Sequence, residues 1–201
     1  MWIETIELAG GRARLVPLQA EHTPALYEAG RDPDIWTYLP RRVETPEDMG
    51  SLVQEALVAR EAGTDFPLVI LDQNAGDRVV GSTRLCDIQP VHRGVEIGWT
   101  WLAPDVWRTR INTECKYLLL CHCFETLNAL RVSLKTDERN IRSQRAIERL
   151  GAVKEGVLRN HRVLPDGYVR NSVYYSILND EWPAVKQRLE AFLDQARHTH
   201  G

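Results

Sequence analysis

The spacing of apolar and polar positions predicts strands and helices in a definite order along the first half of the chain. A strand is expected in "ARLVPL" from Ala13 to Leu18, followed by helices in "EHTPALYEAG" and "PEDMGSLVQEALVAREAG". Three strand-like segments come next, "FPLVILD", "RVVGSTRLCDI" and "GVEIGWTWLA". The first of these three is a continuous apolar run, which is typical of a strand buried on both faces.

The second half alternates helix and strand before it closes with a hairpin. A helix opens in "WRTRINTECKYLLL" and runs to about Leu127, "LRVSLKT" reads as a strand, and "NIRSQRAIERLGA" is a short helix ending at Gly151. The run "VLRNHRVLPDGYVRNSVYYSIL" predicts a hairpin that turns at residues 165–167, and "EWPAVKQRLEAFLDQA" is the last helix. This order predicts a mixed α/β fold with one sheet and helices on both of its faces.

Local signals indicate where several helices begin. Thr45 is expected to cap the second helix, with Pro46 at its first position and Asp48 completing a capping box. Asn112 and Asn140 are expected to cap the two helices that follow strands in the second half. Ligands in open α/β sheets bind beyond the carboxyl ends of strands, so both junctions are candidates for one cleft.

Composition narrows the class of protein. The 201 residues are expected to form one domain, residues 1–201, and the net charge of −3 gives no general footprint for nucleic acid or an anionic membrane. No apolar run approaches the roughly 20 residues of a membrane span, and the first residues do not read as a signal peptide. A cytoplasmic location is therefore expected.

The four cysteines do not form a pattern typical of disulfides or metal sites. Cys115, Cys121 and Cys123 fall within one predicted helix and Cys86 in a strand, without CxxC spacing. Free thiols in a reducing compartment are expected, with no bound metal.

Two arginines precede a helix start at a position that buries nothing. The N-terminus of a helix attracts anions through its free N–H groups and its dipole, and Arg108 and Arg110 would add to this attraction. The segment therefore predicts a binding site for a ligand of about the size of a phosphate group. A solvated basic loop is the alternative interpretation.

From about Arg12 to Leu178 the chain resembles the GNAT acyl-CoA N-acyltransferases, most closely the branch with the ribosomal-protein N-terminal acetyltransferases. The resemblance rests on "GVEIGWTWLAPDVW", "RINTECKYLLLCHCFE", "RVSLKTDERNIRSQRAIERLGAVKEGVLRNH" and "DGYVRNSVYYSILNDEW". It implies a central, mostly antiparallel sheet of about seven strands, splayed in the middle and flanked by helices on both faces. It also implies acetyl transfer from acetyl-CoA, as co-substrate, to a primary amine of a small molecule or a protein N-terminus. A homodimer is common in that branch.

The family's phosphate-binding motif, Q/R-x-x-G-x-G/A, falls on residues 107–112 with three departures. Trp107 replaces Gln or Arg, Arg110 replaces the first glycine, and Asn112 replaces the second small residue. Glycine serves where a backbone approaches a phosphate closely or adopts positive φ. Arg110 either bonds a phosphate directly or marks a loop that no longer binds the cofactor tightly. The cofactor-binding residues that the resemblance implies are Trp101, Leu102, Trp107, Arg108, Thr109, Arg110, Ile111, Asn112, Thr113, Asn140 and Ser143.

Two residues are candidates for catalysis. Glu96 lies on the strand expected to line the cleft and would help the amine lose its proton, although strand alternation also allows a solvated, outward-facing carboxylate. By resemblance, Ser143 takes the position of the serine that protonates the departing thiolate. The tyrosine that many members use instead is replaced here by Ile147.

Four further residues are candidates on the acceptor side. Trp36 and Tyr38 follow the first helix, where the family shapes its acceptor pocket, although core packing is the alternative. His92 and His161 are weaker candidates for a base. A second class of function stays open, a catalytically silent module that keeps the fold to bind acyl-CoA or another protein, and the altered "WRTRIN" loop favours it.

Overall fold

The computed structural model describes residues 6–198, with side chains described through residue 194. Eight strands form one sheet in the order β1-β2-β3-β4-β5-β6-β8-β7, and every neighbouring pair is antiparallel except β5 and β6. The strands are β1 (Leu8–Ala9), β2 (Ala13–Pro17), β3 (Phe66–Asp72), β4 (Arg78–Gln89), β5 (Gly94–Leu102), β6 (Arg131–Asp137), β7 (Val153–Val163) and β8 (Val169–Leu178).

Five α-helices cover the two faces of the sheet. They are α1 (Thr23–Ala29), α2 (Pro46–Glu61), α3 (Ile111–Cys121), α4 (Ile141–Leu150) and α5 (Trp182–His198). Side chains of α1 and α2 share a small cavity with Ser82 and Arg84 of β4, whereas Lys116 of α3 bonds Thr100, which in turn bonds Thr83. Successive side chains of a strand point to opposite faces, so α3 lies on the face opposite α1 and α2.

The sheet splits between β5 and β6. These parallel strands pair only through Gly94–Arg131, Val95–Val132 and Glu96–Ser133, although β5 continues to Leu102 and β6 to Asp137. Past Glu96 the two strands therefore diverge and leave a gap that opens toward their carboxyl ends.

A β-bulge lies on β5 just beyond the split. Ser82 pairs with Trp101 and Arg84 with Gly98, so Trp99 and Thr100 together oppose Thr83. Trp99 has a φ of 53°, in the left-handed region that is uncommon for a bulky side chain. The bulge turns the backbone of β5 at the edge of the gap.

The fold class expected from the sequence is confirmed, with eight strands instead of about seven. The additional strand is β1, which has two residues and is too short to give a periodic signal. All seven residues of β3 are buried, and the Thr45–Asp48 capping box forms with Pro46 at the helix start.

The expectation that Asn112 caps α3 is wrong. The helix begins at Ile111, after Arg110 as the N-cap residue, and Asn112 is already inside the first turn. The Thr109 hydroxyl instead accepts a bond from the Ile111 N–H at 3.4 Å and donates to the Val106 carbonyl at 2.8 Å. The helix continues as a π-helical turn over His122–Thr126, so its expected end near Leu127 is confirmed.

One buried carboxylate joins α3 to the first part of the sheet. Glu114 is 4% exposed, and its two oxygens accept bonds from the backbone N–H groups of Gly11, Arg12 and Ala13 at 2.6, 2.9 and 2.7 Å. This acid satisfies three donors at the start of β2 and fixes where the first turn of α3 lies.

Both ends of α4 match the prediction from the sequence. Asn140 caps α4 by accepting a bond from the Ser143 N–H at 3.0 Å, and Gly151 ends the helix with a φ of 106°.

The four cysteines are free thiols, and Cys121 is the least buried of them. Between residues 6 and 198, no helix has the length and apolar character needed to cross a membrane, and no cluster of three metal-ligating side chains occurs.

We predict opposite effects on stability for two glycine-to-alanine changes. Gly151→Ala should lower the free energy of unfolding by about 1 kcal/mol or more, because alanine is strained at positive φ. Its new Cβ would also lie 3.0 Å from Cγ2 of Val185. Gly50 lies inside α2, and its new Cβ would have nothing within 4 Å. Gly50→Ala should therefore raise the free energy of unfolding by up to about 1 kcal/mol. Chemical denaturation measures both, and an unchanged midpoint for Gly151→Ala would contradict the assigned helix end.

Candidate active site

The gap between β5 and β6 is the natural place for a ligand in this fold. Both strands run parallel, so their carboxyl ends lie at the same edge of the sheet, and each is followed by a helix, α3 and α4. The free N–H groups of both helix starts therefore lie at the edge where the gap opens.

The loop before α3 has a defined conformation without glycine. Its left-handed residue is Arg108, with a φ of 63°, whereas Arg110 has a φ of −72° and Asn112 is helical. The loss of glycine at positions 110 and 112 consequently causes no strain in the backbone of this loop. Trp107 anchors the loop, because its indole N–H donates to the Leu102 carbonyl at 2.7 Å and the Arg142 guanidinium of α4 stacks 4.1 Å from its ring.

The side chains of the two arginines in this loop form no ion pair or hydrogen bond with the described residues. Arg108 is exposed and Arg110 is half-buried. Thr113, in the same first turn of α3, is 2% exposed, and its hydroxyl has no hydrogen-bond partner among the described residues. Two unpaired cations beside a helix start together fit an anionic ligand.

The start of α4 provides the second set of candidates. The Asn140 side-chain oxygen is used by the cap, which leaves its amide N–H groups available. Ser143 is half-buried, and its hydroxyl has no partner within the described part of the chain. Ile147, one turn further on, is 7% exposed and offers no polar group.

Glu96 lies at the point where β5 and β6 separate. The interpretation of this residue as a solvated, outward-facing carboxylate is wrong, because it is 3% exposed. One oxygen accepts a bond from the Lys135 ammonium of β6 at 2.8 Å, and the other is 3.6 Å from the Cys86 thiol. A Cβ at Gly98 would lie 2.8 Å from this carboxylate, so glycine at this position leaves room for it.

A row of polar side chains, which we call the polar wall, lies on one face of the sheet. It consists of Lys135 of β6, Arg170, Ser172 and Tyr174 of β8, and His161 of β7. Lys135 pairs in register with Tyr174, and Asp137 pairs with Ser172, so these side chains share one face of the sheet. Burial opposes the ammonium form of Lys135, but the Glu96 carboxylate outweighs this effect and raises the lysine pKa.

The two candidate histidines are placed differently. His161, at a bulge of β7, is 2.9 Å from the Ser172 hydroxyl and 3.4 Å from that of Tyr174, which puts it on the polar wall. Burial and neighbouring cations lower its pKa, so the imidazole is neutral at pH 7. His92 is exposed in the turn between β4 and β5, on the far side of the strand from the gap's open end.

The opposite wall is the segment between α1 and α2, residues 33–44, which we call the acceptor loop. Trp36 is 4% exposed, donates its indole N–H to the Gly30 carbonyl at 2.8 Å, and packs 5.3 Å from the ring of Trp101. It borders a cavity of about 20 Å³, which holds one water molecule at most. Trp36 therefore has a packing role, while Tyr38 is half-buried and reaches the polar wall.

Lys116 is a buried residue that the sequence did not single out. It is 6% exposed, its ammonium donates to the Thr100 hydroxyl at 2.5 Å, and Thr100 is 2.7 Å from the Thr83 hydroxyl. No carboxylate lies within ion-pair distance of it in residues 6–198, and burial lowers its pKa. In the sequence, Lys116 lies four residues before Leu120, which places it on the buried side of α3. A lysine in that position is unusual and is the signal by which it could have been found.

Comparisons with known proteins agree on one family. The sequence model of the acetyltransferase (GNAT) domain matches residues 12–153. A solved structure of a "putative acetyltransferase" from T. thermophilus is 42% identical, with a TM-score of 0.87 over 96% of this chain and 100% of that one. YnaD of Bacillus subtilis strain 168, an "uncharacterized N-acetyltransferase", is 27% identical over 79% of this chain and 88% of its own. YdaF of the same strain, a "putative ribosomal N-acetyltransferase", is 32% identical over 53% of this chain and 57% of its own.

We predict that Lys116→Met stabilises the protein at neutral pH. The folded state binds this proton more weakly than the unfolded state, so the cost of burying the charge is full below the lowered pKa of the folded state. The gain should be on the order of 1 kcal/mol or more at pH 7. It should shrink as the pH rises toward the ordinary lysine pKa, where the unfolded chain also loses its proton.

Lys135→Met is the matched control for this experiment. It leaves Glu96 buried without its partner, so it should destabilise at pH 7, since the raised lysine pKa contributes stability that is lost only as the pH rises through it. Free energies of unfolding at pH 7 and pH 10 decide the matter. A destabilising Lys116→Met with the same effect at both pH values would contradict the prediction.

Proposed function

Since the chain belongs to the GNAT family of acetyltransferases, we propose that the gap between β5 and β6 binds acetyl-CoA and that a primary amine attacks its thioester there. The observation that carries this proposal is the split itself, with a bulge on β5 at one side and two unpaired cations at the adjoining helix start. The backbone groups of β5 that face the gap beyond Glu96 have no strand partner, so they are free to bond a ligand.

The coenzyme has complementary groups along this edge. We assign its pyrophosphate to residues 107–113, where helix N–H groups, Arg108 and Arg110 combine. Trp101 and Leu102 supply backbone groups to the pantetheine arm, and the free amide of Asn140 approaches the arm from α4.

The reaction forms a carbon–nitrogen bond and breaks the carbon–sulfur bond of the thioester. The acceptor must first lose a proton, and Glu96 supports that step by attracting the ammonium and passing its proton to water. N–H groups at the Trp99 bulge bond the oxyanion, and the hydroxyl of Ser143 returns a proton to the departing thiolate.

The acceptor is an amine of a small molecule or of a protein N-terminus. The likeness to YdaF, named for a ribosomal role, supports the protein N-terminus, and the row of polar side chains beside the gap suits an extended peptide. The four free thiols suit a reducing cytoplasm, where we place the enzyme. A homodimer is common in the branch that the chain resembles, and sedimentation would measure whether this protein forms one.

Isothermal titration with acetyl-CoA, followed by a thiol-release assay over amines and N-terminal peptides, tests the function. We expect binding, and turnover with at least one acceptor class. Binding without turnover on the whole panel would instead support a catalytically silent module that senses acyl-CoA. The absence of both would refute the proposal.

We predict that Arg110→Ala weakens acetyl-CoA binding by about one to two powers of ten. A charge-assisted bond to phosphate contributes roughly 1.5–3 kcal/mol, and high salt should narrow the difference between the two proteins. Titration calorimetry at two salt concentrations measures both effects. Arg110→Gly is the sharper variant, because tighter binding by the glycine protein would show that the arginine obstructs the loop.

We predict that Ser143→Ala lowers turnover with little change in acetyl-CoA affinity, because the hydroxyl gives its proton to the sulfur only as the thiolate leaves and not in the bound thioester. Glu96→Gln should lower turnover most at low pH, where less free amine exists. Turnover numbers measured across a pH series compare the two variants with the parent. Unchanged pH–rate profiles in both variants would remove these assignments and leave water as the proton carrier.

A further inference from the structure

Arg170 is a buried cation that the proposed chemistry does not use. It lies on β8, is 7% exposed, and has no carboxylate within ion-pair distance among the described residues. Its Nε donates to the Ser172 hydroxyl at 3.0 Å, and one terminal nitrogen donates to the Tyr38 carbonyl at 3.1 Å. The second bond joins residues 132 positions apart in the chain and connects the polar wall to the acceptor loop.

A second arginine holds the same tyrosine by its ring. The guanidinium of Arg139 lies 5.6 Å from the ring centre of Tyr38 and 3.4 Å from that of Tyr168 in the β7–β8 turn. Asp137 orients it through two bonds, of 3.1 and 2.9 Å. Two independent contacts, one on the backbone and one on the ring, thus converge on Tyr38.

Trp36 and Val43, each 4% exposed, anchor the acceptor loop in the core on either side of Tyr38, and among the described residues only the bond from Arg170 joins the loop to β8. The Leu39 N–H donates to the Trp36 carbonyl within the loop, and Arg41 and Arg42 are exposed and pair with Glu55 and Glu44 at the surface. Exposed ion pairs of this kind restrain a chain weakly. The contacts of Arg170 and Arg139 with Tyr38 are therefore the ones that hold the stretch between these anchors toward β8.

We propose that Arg170 and Arg139 form a clamp on Tyr38 that fixes the width of the acceptor side of the cleft and so determines which amines reach the thioester. Both are positioning residues, since they act through the loop and not on the reacting atoms. The proposal rests on the proposed function for its effect on specificity, but the clamp itself is a property of the unliganded protein.

Limited trypsin digestion tests the clamp without any substrate. Arg170→Met should speed cleavage after Arg41 and Arg42 by about tenfold, because it removes a hydrogen bond from a charged donor that holds the loop. Arg162→Met is the matched control. Arg162 is exposed and pairs in register with Arg170. Arg162→Met therefore removes a cation next to Arg170 and keeps both contacts of Tyr38.

A second pair of variants serves if Arg170→Met does not fold. Tyr38→Ala removes the ring that Arg139 contacts and keeps the backbone carbonyl, so it should speed cleavage by about threefold. Tyr38→Phe keeps the ring and should cleave at the parent rate. Equal rates for the parent, Arg170→Met and Tyr38→Ala would overturn the clamp.

Specificity is measured on the acceptor found in the thiol-release panel and on a truncated version of it. Arg170→Met should change the ratio of their kcat/KM values by about tenfold through the KM of the amine, with acetyl-CoA affinity unchanged. Arg162→Met should keep the parent ratio. If the parent turns over no amine, the proposed function fails while the trypsin result still decides the clamp. An unchanged ratio alongside faster cleavage would refute the effect on specificity.

Discussion

The fold is organised around the point where the parallel pairing of β5 and β6 stops. Three residue pairs hold the strands together, and past Glu96 each strand follows its own half of the sheet. The ion pair between Glu96 of β5 and Lys135 of β6 joins the two strands at the point where they separate. Beyond it, unpaired backbone groups, a left-handed Trp99 and two helix starts border the same gap. A coenzyme with an amide-rich arm and a pyrophosphate offers hydrogen-bond partners for the unpaired backbone and helix N–H groups at this edge.

Charge is distributed differently on the two faces of the split sheet. On the face of α1 and α2, hydrogen bonds link Arg170, Ser172, His161 and Tyr174 into a wall next to the acceptor loop, and Lys135 pairs in register with Tyr174. On the face of α3, the buried Lys116 supports the bulge of β5 through two threonine hydroxyls. The two faces therefore hold separate sets of polar side chains, one next to the acceptor loop and one behind the bulge of β5.

Local signals in the sequence were enough for most elements and insufficient for most contacts of the site. The capping box at Thr45, the cap at Asn140 and the turn at Gly151 depend on neighbouring residues, and each was predicted correctly. Asn112 failed as a cap because the preceding Thr109 already binds the first free N–H group. The Glu96–Lys135 pair spans 39 residues and the Arg170–Tyr38 bond spans 132, so both depend on strand order, which the spacing of apolar residues does not encode. The roles of Glu96, Ser143 and the arginines of the loop stay predictions.

The location of the coenzyme is the claim on which the other assignments depend. Amide NMR spectra of the protein, recorded with and without CoA, test it directly, because each backbone N–H reports its own surroundings. We expect the largest changes in residues 98–102 and 107–113, with smaller ones at the start of α4. Changes confined to other parts of the chain, or none at a saturating concentration of CoA, would contradict the account.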